Sequence, residues 1–213
     1  MNKIALLPPS ILLAHTHTHS SHTHGSMSHH FVAEHVALEL SRSQDGDAAK
    51  VDAGATAGVA WPPGCDKLRA GLLIIHRGSA SALLLQRSKK SGNPLTWGLA
   101  GGNVDKGDAS LMDAARREAI EEVGSVLPGD LEVVTEVVTR RGKRKQKWFT
   151  VFVCAVDRTF EPDFAGATHG HEHVDYRWVP LVDLAKLPLH PVVRLVFDGG
   201  DVSPEDLTRL VSA

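Results

Sequence analysis

Apolar residues recur in strand-like runs from about Leu68 onward, and these runs predict a β-rich domain. Two of them lie on either side of a Gly-Ser turn, LRAGLLIIHRG and SASALLLQRSKK, and we expect a hairpin or two adjacent strands there. A second hairpin with a basic tip is predicted where GKRK separates LEVVTEVVTRR from QKWFTVFVCAVDR. A further strand is expected in VDYRWVPL, followed by a short helical turn in LVDLAKL.

A central helix is predicted to end at Val123, immediately before Gly124. Asp108 and Ser110 are both plausible N-caps for it, because their side-chain oxygens can accept hydrogen bonds from the first free backbone N–H groups. The segment ahead of this helix is SGNPLTWGLAGGNVDKGD. It is rich in Gly, Asn, Asp and Pro, so we expect a loop with little regular structure.

Two more helices are predicted near the C-terminus. Pro191 stands in the first turn of HPVVRLVFDGG, which ends in glycines. In the tail, residues 201–213, Ser203 is the expected cap and Pro204 the first helical residue. Strands and helices mixed in this order predict an α/β sandwich of the α+β kind for residues 65–200.

The first 60 residues have a different composition. Residues 15–30 read HTHTHSSHTHGSMSHH, a tract with almost nothing to bury, and we expect this His-rich segment, residues 1–60, to be largely disordered. Within it, FVAEHVALELSR (31–42) is compatible with a short helix and residues 43–60 with a linker. Histidine tracts can bind transition metals, but small polar residues without a fixed turn more often give a weak, adventitious site.

Composition and charge exclude several functional classes. The chain has 213 residues, of which 42% are apolar, and a formal net charge of -2, so no global field attracts nucleic acid or an anionic membrane. We therefore expect neither a stable nucleic-acid complex nor membrane association. Cys65 and Cys154 are too far apart for a cysteine zinc site and too few for a disulfide framework. A reducing compartment is indicated, with the cytoplasm preferred and an organelle left open; the sequence does not decide the oligomeric state.

One predicted helical turn carries three glutamates, Glu118, Glu121 and Glu122. Like charges three and four residues apart repel each other, so this acidic turn destabilises the helix unless a cation offsets it. Converging carboxylates offer the hard oxygen ligands that Mg²⁺ and Mn²⁺ prefer, which predicts a divalent metal site. The alternative is a solvated acidic face. The apolar side expected to pack consists of Met112, Ala115, Ala119, Ile120 and Val123.

The residues around the acidic turn form a longer pattern. Gly102 is followed after five residues by Asp108, and REAIEEVG then runs from Arg117 to Gly124. This pattern resembles the Nudix box, the signature of the Nudix hydrolases. In that family a Glu stands where this chain has Asp108, and seven rather than eight residues separate it from the arginine. With the flanking LLLQRSKKSGNPLTWGLAGG and EHVDYRWVPLVDL, the resemblance covers about residues 68–198.

The resemblance implies a Nudix-type α/β/α sandwich with a mixed sheet. It implies hydrolysis of a nucleoside diphosphate linked to a group X, with water as the nucleophile and Mg²⁺ or Mn²⁺ as the cofactor. Glu118, Glu121 and Glu122 would hold the metal, and Arg117 would orient Glu118 while pointing away from the carboxylates. A nucleoside triphosphate is the favoured small-molecule substrate, because no second motif selects ADP-ribose, coenzyme A or NADH. The alternative is a non-catalytic Nudix domain that binds nucleotide or protein.

Candidate substrate-binding residues lie just outside the acidic turn. Arg87 and Trp97 are candidates for phosphate and base contact, with a core anchor as the alternative for Trp97. Gly101 and Gly102 would let the backbone approach a metal or a phosphate closely.

Three further features are candidates for parts of the site. Glu172 and Asp175 precede or begin the last predicted strand, and either is a candidate for an additional catalytic acid. The basic run RRGKRKQKW is a candidate for guiding a polyphosphate, with Trp148 stacking on a base, and a solvated turn is the alternative. Histidines crowd the segment THGHEH (168–173), where we expect them to face solvent, with a catalytic histidine as the alternative.

Overall fold

The structure is a computed structural model that describes residues 58–124, 126–129, 131–198 and 202–212. In this part of the chain, three α-helices and two 3₁₀ helices pack around a seven-stranded sheet. The strands are β1 (Lys67–His76), β2 (Ser81–Arg87), β3 (Trp97–Gly98), β4 (Ala100–Asn103), β5 (Glu132–Arg141), β6 (Lys147–Val156) and β7 (His173–Pro180). The α-helices are α1 (Leu111–Val123), α2 (Pro191–Asp198) and α3 (Pro204–Ser212), and the 3₁₀ helices are Gly170–Glu172 and Leu181–Lys186.

Both predicted hairpins form, and a parallel pairing joins them. β1 pairs antiparallel with β2, and β5 pairs antiparallel with β6. β1 and β6 run parallel, from Lys67 opposite Lys147 to His76 opposite Val156. The strand order is β3-β2-β1-β6-β5, with β4 paired to β1 and β7 paired to β2. The sheet is therefore mixed, as the resemblance implies.

Helices cover both faces of the sheet, so apolar side chains are buried on each. On β1, Leu73 and Ile75 belong to the layer that packs against α2, α3 and the 3₁₀ helix Leu181–Lys186. Leu72 and Ile74 belong to the layer that packs against α1. Successive strand residues point to opposite faces, which explains this division. The arrangement is the predicted α/β/α sandwich.

The glycine-rich segment before α1 contains β3 and β4, contrary to the prediction of a loop with little regular structure. β4 pairs with β1 so that Gly101 lies opposite Gly71. A Cβ at Gly101 would lie 2.4 Å from the Gly71 Cα, and the φ of Gly101 is +154°. The glycines that favour a loop in the sequence are therefore needed for the close approach of these two strands.

α1 begins and ends where the sequence predicts. The Ser110 side chain accepts a hydrogen bond from the Asp113 N–H, and Gly124 caps the C-terminus with a φ of 79°. Its packing face differs from the prediction, because Ile120 is 44% exposed and Glu122 is buried. Small alanines let the helix lie close to the sheet, and the buried arc is centred near Glu122. The buried residues are Ala114, Ala115, Ala119, Glu122 and Val123.

Within the described ranges, no helix combines the length and the apolar character needed to cross a bilayer. The predictions for the N-terminal segment fall mainly on residues 1–57, which lie outside the described residues. These include the helix at 31–42 and the histidine tract. The terminal helix predicted in residues 201–213 corresponds to α3.

His173 begins β7 and is 4% exposed, although the sequence predicts a solvent-facing position. Its ring stacks on Phe164 with a centroid distance of 6.0 Å. Neither ring nitrogen has a hydrogen-bond partner among the described residues. Burial, together with the nearby Arg87 guanidinium, lowers the pKa of His173 to about 4.

Deletion of residues 1–57 is expected to leave the melting temperature within about 2 °C of the full chain, because their composition cannot repay the entropy of ordering. Deletion of residues 1–60 should lower it further, since Val59 packs against the α1 side of the core and its loss costs about 1 kcal/mol. Calorimetry on the full chain and both truncated chains checks this. A large loss on removing residues 1–57 would show that they stabilise the domain.

Lowering the pH from 6.5 toward 4 is expected to reduce stability, and His173 should account for one proton of this dependence. The unfolded chain protonates His173 near its ordinary pKa of 6.5, whereas the folded chain does so near 4, so unfolding takes up a proton between these values. One proton gives a slope of about 1.4 kcal/mol per pH unit. Urea unfolding of His173→Leu should show a slope smaller by this amount.

His171→Leu is the matched control for this experiment, because the His171 side chain is exposed. It should show the same pH dependence as wild type. Equal slopes for wild type and His173→Leu would contradict the buried, neutral state of the ring.

Candidate active site

The acidic turn of α1 lies against β4, and two glycines set the distance between them. The Gly101 N–H donates to Glu122 Oε2 at 2.8 Å. A Cβ at Gly102 would lie 2.2 Å from Glu118 Oε2. A residue without a side chain at Gly102 therefore leaves room for the Glu118 carboxylate.

Arg117 joins the acidic turn to the segment that precedes α1. Its Nε and Nη2 donate to the two oxygens of Asp108 at 2.9 and 3.1 Å, and Nη2 also donates to the Asn103 carbonyl at 2.9 Å. Nη1 donates to Glu118 Oε1 and to Glu121 Oε2, both at 3.2 Å. The expectation that Arg117 points away from the carboxylates is wrong, because its guanidinium lies between Asp108 and two of them.

Asp108 makes a two-point ion pair with Arg117, although it is shorter than the glutamate of the Nudix box. It is buried and also accepts a hydrogen bond from the Asp105 N–H at 2.7 Å. The Arg117 hydrogen bond lowers the pKa of Asp108 against the effect of burial, and the same bond raises the pKa of Arg117. Both groups therefore stay charged, and the extra residue before α1 does not break the pair.

Glu118 and Glu121 converge with His169 into a group that suits a divalent metal ion. One ligand atom from each of the three lies within 4.8 Å of the other two, and His169 Nδ1 is 3.2 Å from Glu121 Oε2. The His169 backbone N–H donates to the Glu121 carbonyl at 2.6 Å, which fixes the histidine segment on α1. Carboxylate oxygens suit Mg²⁺ and Mn²⁺, and an imidazole nitrogen is a further ligand for transition ions.

The glutamates of the acidic turn are held in unequal environments. Glu122 is 4% exposed and lies beside the three-residue group rather than in it. Burial raises its pKa well above the usual range, opposed by the Gly101 hydrogen bond. Burial also raises the pKa of Glu118, opposed by Arg117. The positive charge of Arg117 thus compensates the turn incompletely, and a bound cation would stabilise it.

The two candidate acids outside the box, Glu172 and Asp175, lie in different surroundings. Glu172 Oε2 lies 3.3 Å from Arg87 Nη2, and its charge is close enough to Glu122 to raise the pKa of that group. Asp175 pairs instead with Arg177 at 3.6 Å, in a surface groove that Trp178 also lines. Glu172 therefore adjoins the acidic turn, whereas Asp175 does not.

The two side chains predicted to contact substrate lie in different places. Arg87 is held beside the acidic turn, with its Nε donating to the Gly92 carbonyl at 2.6 Å. Trp97 is 3% exposed and belongs to the core, and the Arg177 guanidinium lies 4.7 Å from its ring centroid. This burial favours the core-anchor interpretation of Trp97 over stacking on a substrate base.

The basic hairpin and its neighbour β1 both carry cations. Arg140 covers the Trp148 ring at 3.8 Å from the centroid, so this ring face is occupied by a side chain. Arg69 was not among the predicted site residues, and its Nε donates to Asn103 Oδ1 at 3.1 Å. The alternation of Lys67 and Arg69 at the start of an otherwise apolar strand is the signal that identifies it.

Comparison with known proteins gives one family. The family model for the NUDIX domain matches residues 67–198, more than half of the chain. No curated protein matches the sequence.

Several solved structures are similar to this chain. A Nudix hydrolase from M. smegmatis, RenU, has 29% identity and a TM-score of 0.48, with 61% of this chain and 84% of that chain covered. A MutT NUDIX hydrolase from Burkholderia pseudomallei has 25% identity and a TM-score of 0.46, with coverage of 61% and 93%. An Ap4A hydrolase from C. elegans, in a binary complex, has 22% identity and a TM-score of 0.47, with coverage of 66% and 92%.

The box residues lie together inside the matched range. Gly102 and Arg117 border the three glutamates of the acidic turn, where β4 meets α1. From the match over residues 67–198, the chain belongs to the Nudix family of hydrolases.

Proposed function

We propose that the chain is a pyrophosphohydrolase dependent on Mg²⁺ or Mn²⁺, which cleaves a nucleoside diphosphate linked to a group X. The products are a nucleoside monophosphate and phosphorylated X, and a nucleoside triphosphate is the favoured substrate. The observation that carries this proposal is the convergence of Glu118, Glu121 and His169 beside a glycine segment. Phosphoryl transfer needs charge neutralisation and positioning more than covalent chemistry, and such a site offers both.

Glu118 and Glu121 would hold the metal, with Glu122 as the third carboxylate of the turn and His169 as an adjacent nitrogen donor. When bound, the metal neutralises phosphate charge and lowers the pKa of a bound water. Arg117 keeps the first two carboxylates in place by donating to both. Its charge also reduces the repulsion between them.

Glu172 is the proposed additional catalytic carboxylate outside the box, in the role of general base. Its carboxylate adjoins the acidic turn, where it can accept the proton of the attacking water. Arg87 orients Glu172 through the 3.3 Å contact and has further N–H donors for a phosphate oxygen. Asp175 is left out of this role, since it pairs with Arg177 in a separate groove.

A substrate panel tests the function. The full chain is incubated with nucleoside triphosphates, oxidised ones included, and with ADP-ribose, NADH and dinucleoside polyphosphates, in Mg²⁺, in Mn²⁺ and in EDTA. We expect metal-dependent release of a nucleoside monophosphate, with the highest kcat/KM for a triphosphate. Absence of turnover on every compound would refute the proposal. Nucleotide affinity without product in either metal would favour the non-catalytic binding module.

Glu122→Gln is expected to lower kcat at least about a hundredfold, because losing a group that acts in the transition state commonly costs several kcal/mol. The metal-free variant should melt no lower than wild type, since the substitution removes a carboxyl group whose charged form is disfavoured by burial and by repulsion from Glu118. Mg²⁺ should then raise the melting temperature of wild type more than that of the variant.

Glu136→Gln makes the same change of charge at an exposed position of β5 and is the matched control. It should keep wild-type activity and the wild-type response to Mg²⁺. Full activity of Glu122→Gln, or a lower melting temperature without metal, would mean that the Glu122 carboxylate is structural.

A further inference from the structure

Four cationic side chains share one face at one end of the sheet. On β1, Lys67 and Arg69 are two residues apart. Lys67 lies directly opposite Lys147 on β6, and Lys147 lies directly opposite Arg141 on β5. Opposed residues point to the same face, and residues two apart on one strand do so too. We call this group, Lys67, Arg69, Arg141 and Lys147, the cationic end.

The cationic end lies on the face of the sheet that α2 and α3 cover. Arg69 is separated from Leu73 of that layer by an even number of positions on β1. His190, immediately ahead of α2, adjoins the same place. Burial, together with Arg87, Arg141 and Arg69, lowers the pKa of His190 to about 4, so this ring is neutral at pH 7. The charges of three arginines from three strands therefore act on one neutral side chain.

This arrangement is unfavourable for the protein alone. Like charges directly opposite each other on neighbouring strands are destabilising. Repulsion from Arg69, and then burial, lowers the pKa of Lys67, while burial and Arg69 lower the pKa of Arg141. In the described part of the chain, no carboxylate forms a salt bridge with any member of the cationic end.

Within the described ranges, the hydrogen-bond donors of the cationic end also lack charged acceptors. Arg69 Nε donates to Asn103 Oδ1, which is a neutral group. Arg141 Nε is buried and has no hydrogen-bond partner among the residues that the structure describes. Buried donors in folded proteins are nearly always satisfied. An acceptor from a bound anion would satisfy this one and offset the repulsion.

Asn103 links one member of the cationic end, Arg69, to Arg117 on the helix of the acidic turn. Asn103 accepts from Arg69 through its side chain and from Arg117 through its carbonyl. Burial lowers the pKa of Arg69, and Glu118 and Glu172 lie near enough to oppose that effect. A ligand that bridges a metal ion at the turn and the cationic end must carry negative charge along its length. A chain of phosphates has this property.

We propose that the cationic end binds the distal phosphates of an oligophosphate substrate whose reacting phosphate lies at the acidic turn. The inference rests on the proposed pyrophosphohydrolase function and narrows its substrates to compounds with three or more consecutive phosphates. A diphosphate held at the turn leaves no anion for the cationic end, and in ADP-ribose the group beyond the diphosphate is a neutral sugar. The guanidinium groups of Arg69 and Arg141 can each donate two hydrogen bonds to a phosphate.

Calorimetric titration of the full chain with inorganic tripolyphosphate in EDTA tests the cationic end without catalysis. Arg141→Gln is expected to weaken binding at least about tenfold, because charge-assisted hydrogen bonds to phosphate are lost. Arg144→Gln is the matched control, since it removes the same charge from the same hairpin at a side chain that is 80% exposed. It should bind tripolyphosphate within about twofold of wild type.

Thermal melting provides a second readout and shows whether each variant folds. Removing one of the opposed cations should leave the melting temperature unchanged or higher in buffer without phosphate. Tripolyphosphate should raise the melting temperature of wild type more than that of Arg141→Gln. Arg69→Gln should behave in the same way in both measurements. A variant that fails to fold would count against the proposal, because it would show that the arginine stabilises the protein without an anion.

The outcomes distinguish this inference from the proposed function. Arg141-dependent binding of tripolyphosphate by a chain without hydrolase activity would retain the oligophosphate site and refute the pyrophosphohydrolase. In an active chain, Arg141→Gln should raise KM for a nucleoside triphosphate at least about tenfold and leave KM for ADP-ribose unchanged. Wild-type affinity for tripolyphosphate in Arg141→Gln and Arg69→Gln, or an equal loss in Arg144→Gln, would overturn the inference.

Discussion

The hydrogen bonds of one guanidinium, that of Arg117, hold the candidate site together. This group binds Asp108 in the segment before α1, the Asn103 carbonyl on β4, and two glutamates of its own helix. Its planar fork reaches all of these at once, which the single ammonium group of a lysine would not do. Asp108 is buried and would be an uncompensated charge without this partner. The loop, the strand and the acidic turn therefore depend on the same cation.

The acidic turn and the cationic end are two neighbouring clusters of opposite charge. The acidic turn is carried on α1, whereas the cationic end is carried on β1, β5 and β6. Between them stand the glycines of β4 and the neutral Asn103, which accepts the Arg69 hydrogen bond. A metal ion together with a chain of phosphates would satisfy both clusters in one ligand.

Features with a local cause were predictable from the sequence, and those that depend on packing were not. The ends of α1 follow from Ser110 and Gly124, whose capping chemistry acts within one turn. Hydrophobicity alone would bury Ile120 and expose Glu122, but the structure does the opposite. The reason is that the small alanines pack against the sheet and so determine which side of α1 faces it. In the site, the box glutamates share one helical turn, so their spacing in the sequence was enough to predict that they lie together. His169, Glu172 and Arg69 reach it from other elements, so their convergence required the tertiary structure.

The short strand β4 contacts residues of both the acidic turn and the cationic end. Its Gly101 N–H holds Glu122, and the missing side chain of Gly102 leaves room for Glu118. Its last residue, Asn103, accepts from Arg117 through the backbone and from Arg69 through the side chain. Because β4 is paired to β1, these contacts are fixed relative to the sheet that carries the cationic end. The spacing between the carboxylates of the acidic turn and the arginines of the cationic end therefore depends on backbone pairing, and Gly101, Gly102 and Asn103 each make or permit one of these contacts.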